Sequence, residues 1–355
     1  AEHAISVSSG TAALHIAGLA MGLKPGDVAI VPAITFLASA NTALYAGAEV
    51  QFADVDPDTG LMTAETLERA MAAAGGAARM AIPVHVNGHT VDMAALTAVP
   101  GANNLLMLED ACHALGGYHL GPGNAMVPVG SNAYADATIF SFHPVKTVAM
   151  GEGGAITTND GELAAKLRTL RNIGMTRDPD SFEFKDQAFG ADGQPNPWYY
   201  EMADLGFNYR ASALHCALGL SQLKKLSRFL ARRIELMVQY RQRLQALAPN
   251  VRPLKVSPGC DPAWHLCVVQ IDFDACGVTR ADVMRALQAQ GIGTQVHYIP
   301  LHRQPYFQKR YGEMNLPGAD AYYERALSLP LFASMGDDDV DHVVQALADV
   351  LGIGG

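Results

Sequence analysis

Cysteine is scarce: five residues in a chain of 355, an odd number with no CxxC pair. A disulfide scaffold is excluded in a chain this long, a cysteine-rich zinc site lacks its spacing, and a reducing, cytoplasmic setting is expected. Basic residues are also in deficit, with 25 Lys and Arg against 35 Asp and Glu and a net charge of −10. That balance argues against nucleic acid or an anionic membrane as a partner, since both need a basic surface. No apolar run reaches the roughly 18 residues of a membrane span. The opening AEHAIS has no basic segment ahead of an apolar one, so no signal peptide is read. The 34 glycines and 19 prolines make up about 15% of the chain, below the low-complexity range. No internal repeat is visible. The chain opens at Ala1 without an initiator methionine, almost directly into strand-like AISV, and a preceding portion is expected.

What is present is a hydrophobic fraction of 49%, ample for a large core, in a length that suggests roughly two domains. Short β-rich runs alternate with helical patterns. Strands are expected at Ala29–Val31, Val50–Ala53, Ala81–Val86, Leu105–Glu109, Thr138–Ser141 and Ala155–Thr157. Helices are expected at Thr35–Tyr45, Thr63–Ala74 and Asp92–Ala98. This alternation predicts an α/β domain with a mostly parallel sheet, whose ligands sit at the carboxyl ends of strands. Ala211 to Leu247 reads as one long helical stretch. Beyond Pro249, Pro253, Pro258 and Gly259 a smaller α+β unit follows. It has strands at His265–Ile271 and Thr294–Tyr298 and helices at Arg280–Gln290, Ala319–Leu327 and Asp338–Leu351. The boundary is expected near residue 230, giving a large domain over 1–230 and a small C-terminal one over 231–355. Asp178–Pro197 is polar and aperiodic and reads as a long surface loop.

Three segments carry chemistry. In SSGTAALHIAGLAMGL, residues 8–23, a glycine turn opens a helix whose free amides and dipole suit a phosphate, with Thr11 adding a hydroxyl. A capped helix explains the same residues. In LEDACHALG, residues 108–116, acids end a buried strand; Asp110 can meet a protonated ring nitrogen or simply cap a turn. In IFSFHPVKTVAMGEGGAITTND, residues 139–160, Lys146 follows a strand in uncharged surroundings. A desolvated lysine becomes a usable amine that condenses with an aldehyde, whereas a snorkelling lysine would do nothing. The glycines after it do not complete a GxGxxG pattern. In this order, phosphate donors, a carboxylate and an amine are what a pyridoxal phosphate (PLP) site requires.

With these motifs the chain resembles the fold-type I nucleotide-sugar aminotransferases of the DegT/DnrJ type. SSGTAALH, GDVAIVPAITFLASAN, EDACHA, FSFHPVKTVAMGEGGAITTND, GFNYRASALHCALGLSQL and VHYIPLH follow the family order from about residue 5 to 351. NPWYYEMADLGFNYR and SFHPVK look closest to the transaminases acting on UDP-linked 4-keto-6-deoxy-N-acetylhexosamines in pseudaminic acid synthesis. The resemblance implies that Lys146 holds PLP covalently and that Asp110 keeps its pyridine nitrogen protonated. It implies that His113 lies against the phenolic oxygen, that Phe36 stacks on the ring, and that Thr11, the Ala12 amide and Ser141 bind the phosphate. Asn208 would come from a neighbouring subunit, making a homodimer with shared active sites. His297, Tyr298 and His302 would lie near the sugar nucleotide. The family's N-terminal arm is not represented.

The implied reaction is ping-pong transfer of an amino group from an amino acid, L-glutamate by expectation, to the sugar C4 ketone. Other readings are a dTDP- or GDP-linked sugar, amination at C3, a PLP-dependent dehydratase or a sensory or regulatory relative without turnover. Dehydratase relatives carry histidine in place of the lysine, and Lys146 also favours turnover over sensing. His85 and His89 have HxxxH spacing, but their loop placement beside Asn87-Gly88 removes the helical face that zinc would need, and no metal is expected. Lys224, Lys225, Arg228, Arg232 and Arg233 read as a solvated basic stripe.

Overall fold

A computed structural model describes residues 1–353. β1 (His3–Val7) leads into α1 (Gly10–Ala20), followed by β2 (Val28–Pro32), α2 (Leu37–Tyr45), β3 (Glu49–Ala53), α3 (Ala64–Ala74), β4 (Ala78–Ala81), α4 (Met93–Thr97) and β5 (Leu106–Asp110). A hairpin of β6 (Tyr118–Leu120) and β7 (Met126–Pro128) precedes β8 (Ala137–Ser141), β9 (Gly154–Thr158) and α5 (Gly161–Arg171). Then come β10 (Met175–Thr176), α6 (Lys185–Ala188), β11 (Glu201–Met202), α7 (Ala213–Leu223) and α8 (Leu226–Arg243). The C-terminal part holds β12 (Val251–Pro253), β13 (Cys260–Asp261), β14 (Cys267–Ile271), α9 (Arg280–Ala289), α10 (Pro305–Tyr311), α11 (Pro317–Arg325), β15 (Ala326–Leu329) and α12 (Asp337–Leu351).

Seven strands form one sheet in the order β1-β9-β8-β5-β4-β2-β3. β3, β2, β4, β5 and β8 run parallel; at one edge β9 runs antiparallel to β8 and to the edge strand β1. The expected mostly parallel α/β sheet is therefore present. Its strands read as near-continuous apolar runs because both faces are covered. One face packs on α1 and α5, the other on α3 and α4. A second core surrounds the sheet β12-β14-β15 and takes in α8, α9 and α12. In α12 the buried Val340, Val343, Val344, Leu347 and Leu351 form one apolar stripe. Asp337, Asp338 and Asp339 complement the positive end of its dipole. Among the described residues no helix is long and apolar enough to cross a membrane.

Several elements differ from expectation. The strand expected at Ala81–Val86 ends at Ala81. The following residues leave the sheet to make a buried turn, with Asn87 at φ 65° and Gly88 at φ 87°. Thr294–Tyr298 is not a strand; only Gln295 bridges to Ser328, which frees His297 and Tyr298 to turn away. The helix expected to reach Leu327 stops at Arg325, because Ala326–Leu329 pair with β14 and are buried along their whole length. The long helical stretch breaks at Lys224–Lys225 into α7 and α8. The polar segment 178–197 is a largely exposed loop, broken by the single turn of α6.

The turn at 85–89 joins the two parts of the molecule. The Asn87 carbonyl accepts the N–H groups of His265 (2.9 Å) and Leu266 (3.2 Å). A Cβ on Gly88 would lie 2.0 Å from the Ala263 carbonyl oxygen, on top of a left-handed φ. His89 is fully buried, and its Nε2 accepts the Ser257 N–H at 3.0 Å. Burial lowers its pKa to about 4, with Arg241 and His85 adding to the effect. Two outcomes are expected. Gly88→Ala should cost at least about 2 kcal/mol in urea unfolding, because neither the backbone angle nor the carbonyl can yield cheaply. Stability should also fall on acidification. Below pH about 6.5 the unfolded chain binds a proton that the folded His89 refuses, so roughly 3 kcal/mol is lost as the pH drops from 6.5 towards 4. Urea midpoints that do not move between pH 7 and pH 4.5 would contradict this.

Candidate active site

The site lies where the strand ends converge with the start of α1. Ser9, extended at φ −167°, caps that helix: its Oγ accepts the Ala12 N–H at 3.0 Å. The amides of Gly10 and Thr11 have no acceptor within the helix and lie at its positive pole. A Cβ on Gly10 would sit 2.9 Å from Ser141 Cβ, and one on Gly154 would sit 2.6 Å from the Ser9 carbonyl oxygen. Glycine at both positions lets β9 and the end of β8 close against the turn and brings the Ser141 hydroxyl beside the helix start.

Asp110 ends β5 and is 5% exposed. Its Oδ2 accepts the Ser39 hydroxyl at 2.7 Å and its Oδ1 the Cys112 N–H at 3.1 Å. Ser39 spends its own proton on Asp110, so Thr35 Oγ1, 2.8 Å away, donates to Ser39. Three residues on, His113 Nδ1 accepts the Asn87 N–H at 3.1 Å. The neutral ring therefore carries its proton on Nε2, which lies 3.2 Å from Tyr298 Oη. Burial, with Lys146, His265 and His297 nearby, holds the His113 pKa well below the usual histidine range. The αL turn that presents the Asn87 N–H is braced further: Asn87 Nδ2 donates to Tyr322 Oη (3.0 Å), which donates to the His297 carbonyl (3.2 Å).

Lys146 lies in the loop between β8 and β9, its N–H donating to the His143 carbonyl at 2.9 Å. Burial lowers its pKa; Cys112 and Asp110 oppose that shift without cancelling it. The same burial pushes the Cys112 thiol up. His297 Nδ1 is 2.8 Å from Ser328 Oγ, and burial beside Lys146 brings its pKa down to about 4. Phe36, extended at the start of α2 and 54% exposed, faces Tyr298 with ring centroids 6.1 Å apart.

A cavity of about 500 Å³ brings together Thr11, Phe36, Asp110, His113, Ser141, Lys146, His297 and Tyr298. Three residues singled out in the sequence do not line it. The Ala12 amide is held by Ser9 Oγ. Asn208 is exposed, opposite Asn172. His302 is buried, with Nε2 on Asp320 Oδ1 at 3.1 Å, because Leu301 docks its N–H on the Ala33 carbonyl and turns the chain inward. Sequence reasoning missed Ser39, Thr35, Cys112 and Asn87. Only Cys112, beside Asp110, had a visible signal. His85 and His89 face apart, His85 Nδ1 accepting the Val91 N–H and His89 reaching Ser257.

Comparison with known proteins bears on this arrangement. The profile of the DegT/DnrJ/EryC1/StrS aminotransferase family matches residues 1–348. The spore coat polysaccharide biosynthesis protein SpsC of Bacillus subtilis (strain 168) is 40% identical over 354 residues, covering 99% of this chain and 86% of that one. The solved structure of the putative sugar aminotransferase Spr1654 from Streptococcus pneumoniae, in its PLP form, aligns with a TM-score of 0.84 at 26% identity, over 98% of this chain and 87% of that one. Helicobacter pylori PseC, an aminotransferase involved in the biosynthesis of pseudoaminic acid, aligns with a TM-score of 0.84 at 26% identity, over 99% of this chain and 87% of that one. A family match over nearly all of the sequence, carried on a fold with an amine and a carboxylate in one cavity, has one meaning: the chain belongs to the DegT/DnrJ/EryC1/StrS aminotransferase family.

Proposed function

We propose that this PLP-dependent sugar aminotransferase moves an amino group from L-glutamate to the C4 ketone of a UDP-linked 4-keto-6-deoxy-N-acetylhexosamine, in the cytoplasm. The observation that carries the chemistry is the cavity shared by the Lys146 amine and the Asp110 carboxylate. The similarity to PseC and SpsC supports the sugar class and a role in polysaccharide biosynthesis. The free thiols of all five cysteines agree with a reducing compartment.

The residues present fit PLP. Thr11, Ser141 and the open amides of α1 offer donors to a phosphate, and the Gly10–Ser141 approach leaves no room for a side chain there. When bound, PLP supplies a carbon that exchanges amines and a ring that withdraws electrons. Asp110, oriented by two donors, would hold a proton on the ring nitrogen. His113, its Nδ1 occupied by the Asn87 N–H, would offer Nε2–H to the phenolic oxygen of the ring. Phe36 offers an aromatic face. Lys146 Nζ, its charged form disfavoured by burial, would be the amine that holds the cofactor and, once released, the group that takes up and returns a proton. His297 and Tyr298 form the wall towards the sugar nucleotide.

The proposal includes two units, 1–230 and 231–355, divided within α8, whose Leu236, Met237 and Tyr240 join the second core. It also includes a homodimer. Along α7 only Gly219 is buried, while Leu214 is 84% and Leu220 63% exposed, and Trp198 and Leu205 stand out at 73% and 72%. Apolar surface of this kind calls for a partner, and Asn208 beside it is free to enter that partner's site.

Lys146→Ala should lower transfer about a hundredfold or more while leaving the urea midpoint near wild type. Borohydride reduction of the PLP-loaded protein should label Lys146; a label on any other lysine would overturn the assignment. Mixed dimers test the shared site. Lys146→Ala and Asn208→Ala chains, each inactive alone, should recover about a quarter of wild-type activity when refolded together, since half the dimers then hold one intact site. A fully active monomer by light scattering would exclude it.

A further inference from the structure

Hydroxyls inside helices usually bond back to their own backbone, and this chain has three plain cases. Thr42, Thr97 and Thr169 donate to the carbonyls of Ala38 (3.1 Å), Met93 (3.0 Å) and Ala165 (3.1 Å), four residues earlier. Ser39 does not. It shares α2 with Thr42 and is fully buried, yet it sends its hydroxyl to Asp110 Oδ2 at 2.7 Å, 71 positions further along the chain. Four residues before it, a side chain takes part in place of a carbonyl: Thr35 Oγ1 lies 2.8 Å from Ser39 Oγ and is itself buried. A carboxylate only accepts, and a serine has one proton. The pair therefore has a fixed sense, with Thr35 donating to Ser39 and Ser39 to Asp110. Neither hydroxyl has another partner among the described residues.

Two buried hydroxyls are thus committed to one carboxylate oxygen, although the nearest backbone carbonyl would have satisfied Ser39 as it satisfies Thr42. We propose that Ser39 and Thr35 are positioning residues that decide on which side of the contact between Asp110 and the cofactor the ring proton rests. The inference rests on the assignment of Asp110 to the pyridine nitrogen of PLP. A nitrogen and a carboxylate that share one proton in a buried site have two arrangements: pyridinium with carboxylate, or neutral pyridine with carboxylic acid. Hydrogen bonds donated to the carboxylate favour the first, because they stabilise its charged form. At 2.7 Å the Ser39 bond has the length of a charge-assisted O–H donor, whereas the 3.1 Å of the Cys112 N–H is long for such a bond. Ser39 is the stronger of the two donors. Thr35, by donating to the Ser39 oxygen, polarises that hydroxyl and strengthens its own donation. The chain of hydroxyls keeps the proton on the ring, where it draws electrons towards the nitrogen.

Holoenzyme carrying PLP isotopically labelled at the ring nitrogen is the probe, since the nitrogen chemical shift in NMR separates pyridinium from pyridine. The wild type should give the protonated signal at neutral pH. Ser39→Ala should move it towards the unprotonated position and lower kcat about tenfold, as for loss of one charge-assisted hydrogen bond, with KM for the nucleotide sugar unchanged. Ser39→Cys keeps the volume but is a weak donor. It should follow Ser39→Ala, and it carries the test if Ser39→Ala loses stability. Thr35→Val removes the outer hydroxyl and should shift the signal in the same direction by less. A ring nitrogen that stays protonated in Ser39→Cys would reduce Ser39 to packing and overturn the proposal, while leaving the aminotransferase reading intact. An unprotonated nitrogen in the wild type would overturn it together with the role given to Asp110.

Discussion

The chemistry depends on a carboxylate that is satisfied without its nearest cation. Asp110 and Lys146 share one cavity, and a direct ion pair between them would lock the amine in its ammonium form. Asp110 instead accepts a hydrogen bond from the Ser39 hydroxyl on one oxygen and from the Cys112 N–H on the other. Two donors stabilise a buried carboxylate much as a cation would, and Lys146 is left with burial as its dominant influence. Ser39 and Thr35 thus matter to the lysine although they are bound to the aspartate. Ser39 comes from the first turn of α2, which opens only at Leu37 because Phe36 stays extended, and Thr35 stands just ahead of that cap. The same local choice turns the Phe36 ring towards the cavity and aims Ser39 at Asp110.

β5 presents a second acid to its other face, as strand alternation requires. Glu109 is 1% exposed. Burial pushes its carboxyl up, but His85, His119 and the Thr138 hydroxyl (2.9 Å) outweigh that and hold it below the ordinary range. His85 also reaches across the strand end, its N–H on the Asp110 carbonyl at 3.0 Å. Two residues later the chain offers the Asn87 N–H to His113. One short turn therefore fixes the strand end that carries Asp110, sets the tautomer of His113, and joins the second core through His265 and Leu266. Its cost is a left-handed Asn87 and a glycine that tolerates no Cβ. The histidines that look like half a zinc site in the sequence belong to this frame.

Much of this was legible before any coordinates. The apolar periodicity of the large sheet was readable because buried parallel strands are apolar throughout, and the three chemical segments announced themselves by lying just after strands. Lys146, Asp110, Ser141, Phe36, Thr11 and His113 do converge on one cavity. The residues that escaped are those whose importance is purely tertiary. Ser39 reads as an ordinary small residue of a helix, and Asn87 as a turn former. His302 failed in the opposite way: its neighbours His297 and Tyr298 face the cavity, but the chain turns inward at Leu301 and spends His302 on Asp320. The ends of β4 and α11 were misjudged because apolar residues continue past them; only pairing with β14 decides that Ala326–Leu329 is a strand. Arg233 reads from sequence as part of a solvated stripe, since a single residue step separates Arg232, paired with Asp337, from the buried Arg233 and charge patterning alone cannot tell them apart.

The remaining question is why Lys146, among so many nearby bases, should carry the proton. His113, His265 and His297 surround it, and burial together with the lysine's own positive charge drives the pKa of each downward. Around neutral pH all three are neutral imidazoles: polar walls that donate or accept but hold no charge. They add no repulsion to the ammonium and do not compete for its proton. The Cys112 thiol, pushed up by burial and by Asp110, stays protonated as well. The charged lining of the cavity then comes down to the Lys146 amine and two carboxylates, Asp110, held by Ser39 and Cys112, and Glu152, 3.6 Å from His143 Nε2. The Lys146 amine, its charged form disfavoured by burial, sits on a flexible four-carbon stem, which is what a proton carrier between two carbons needs.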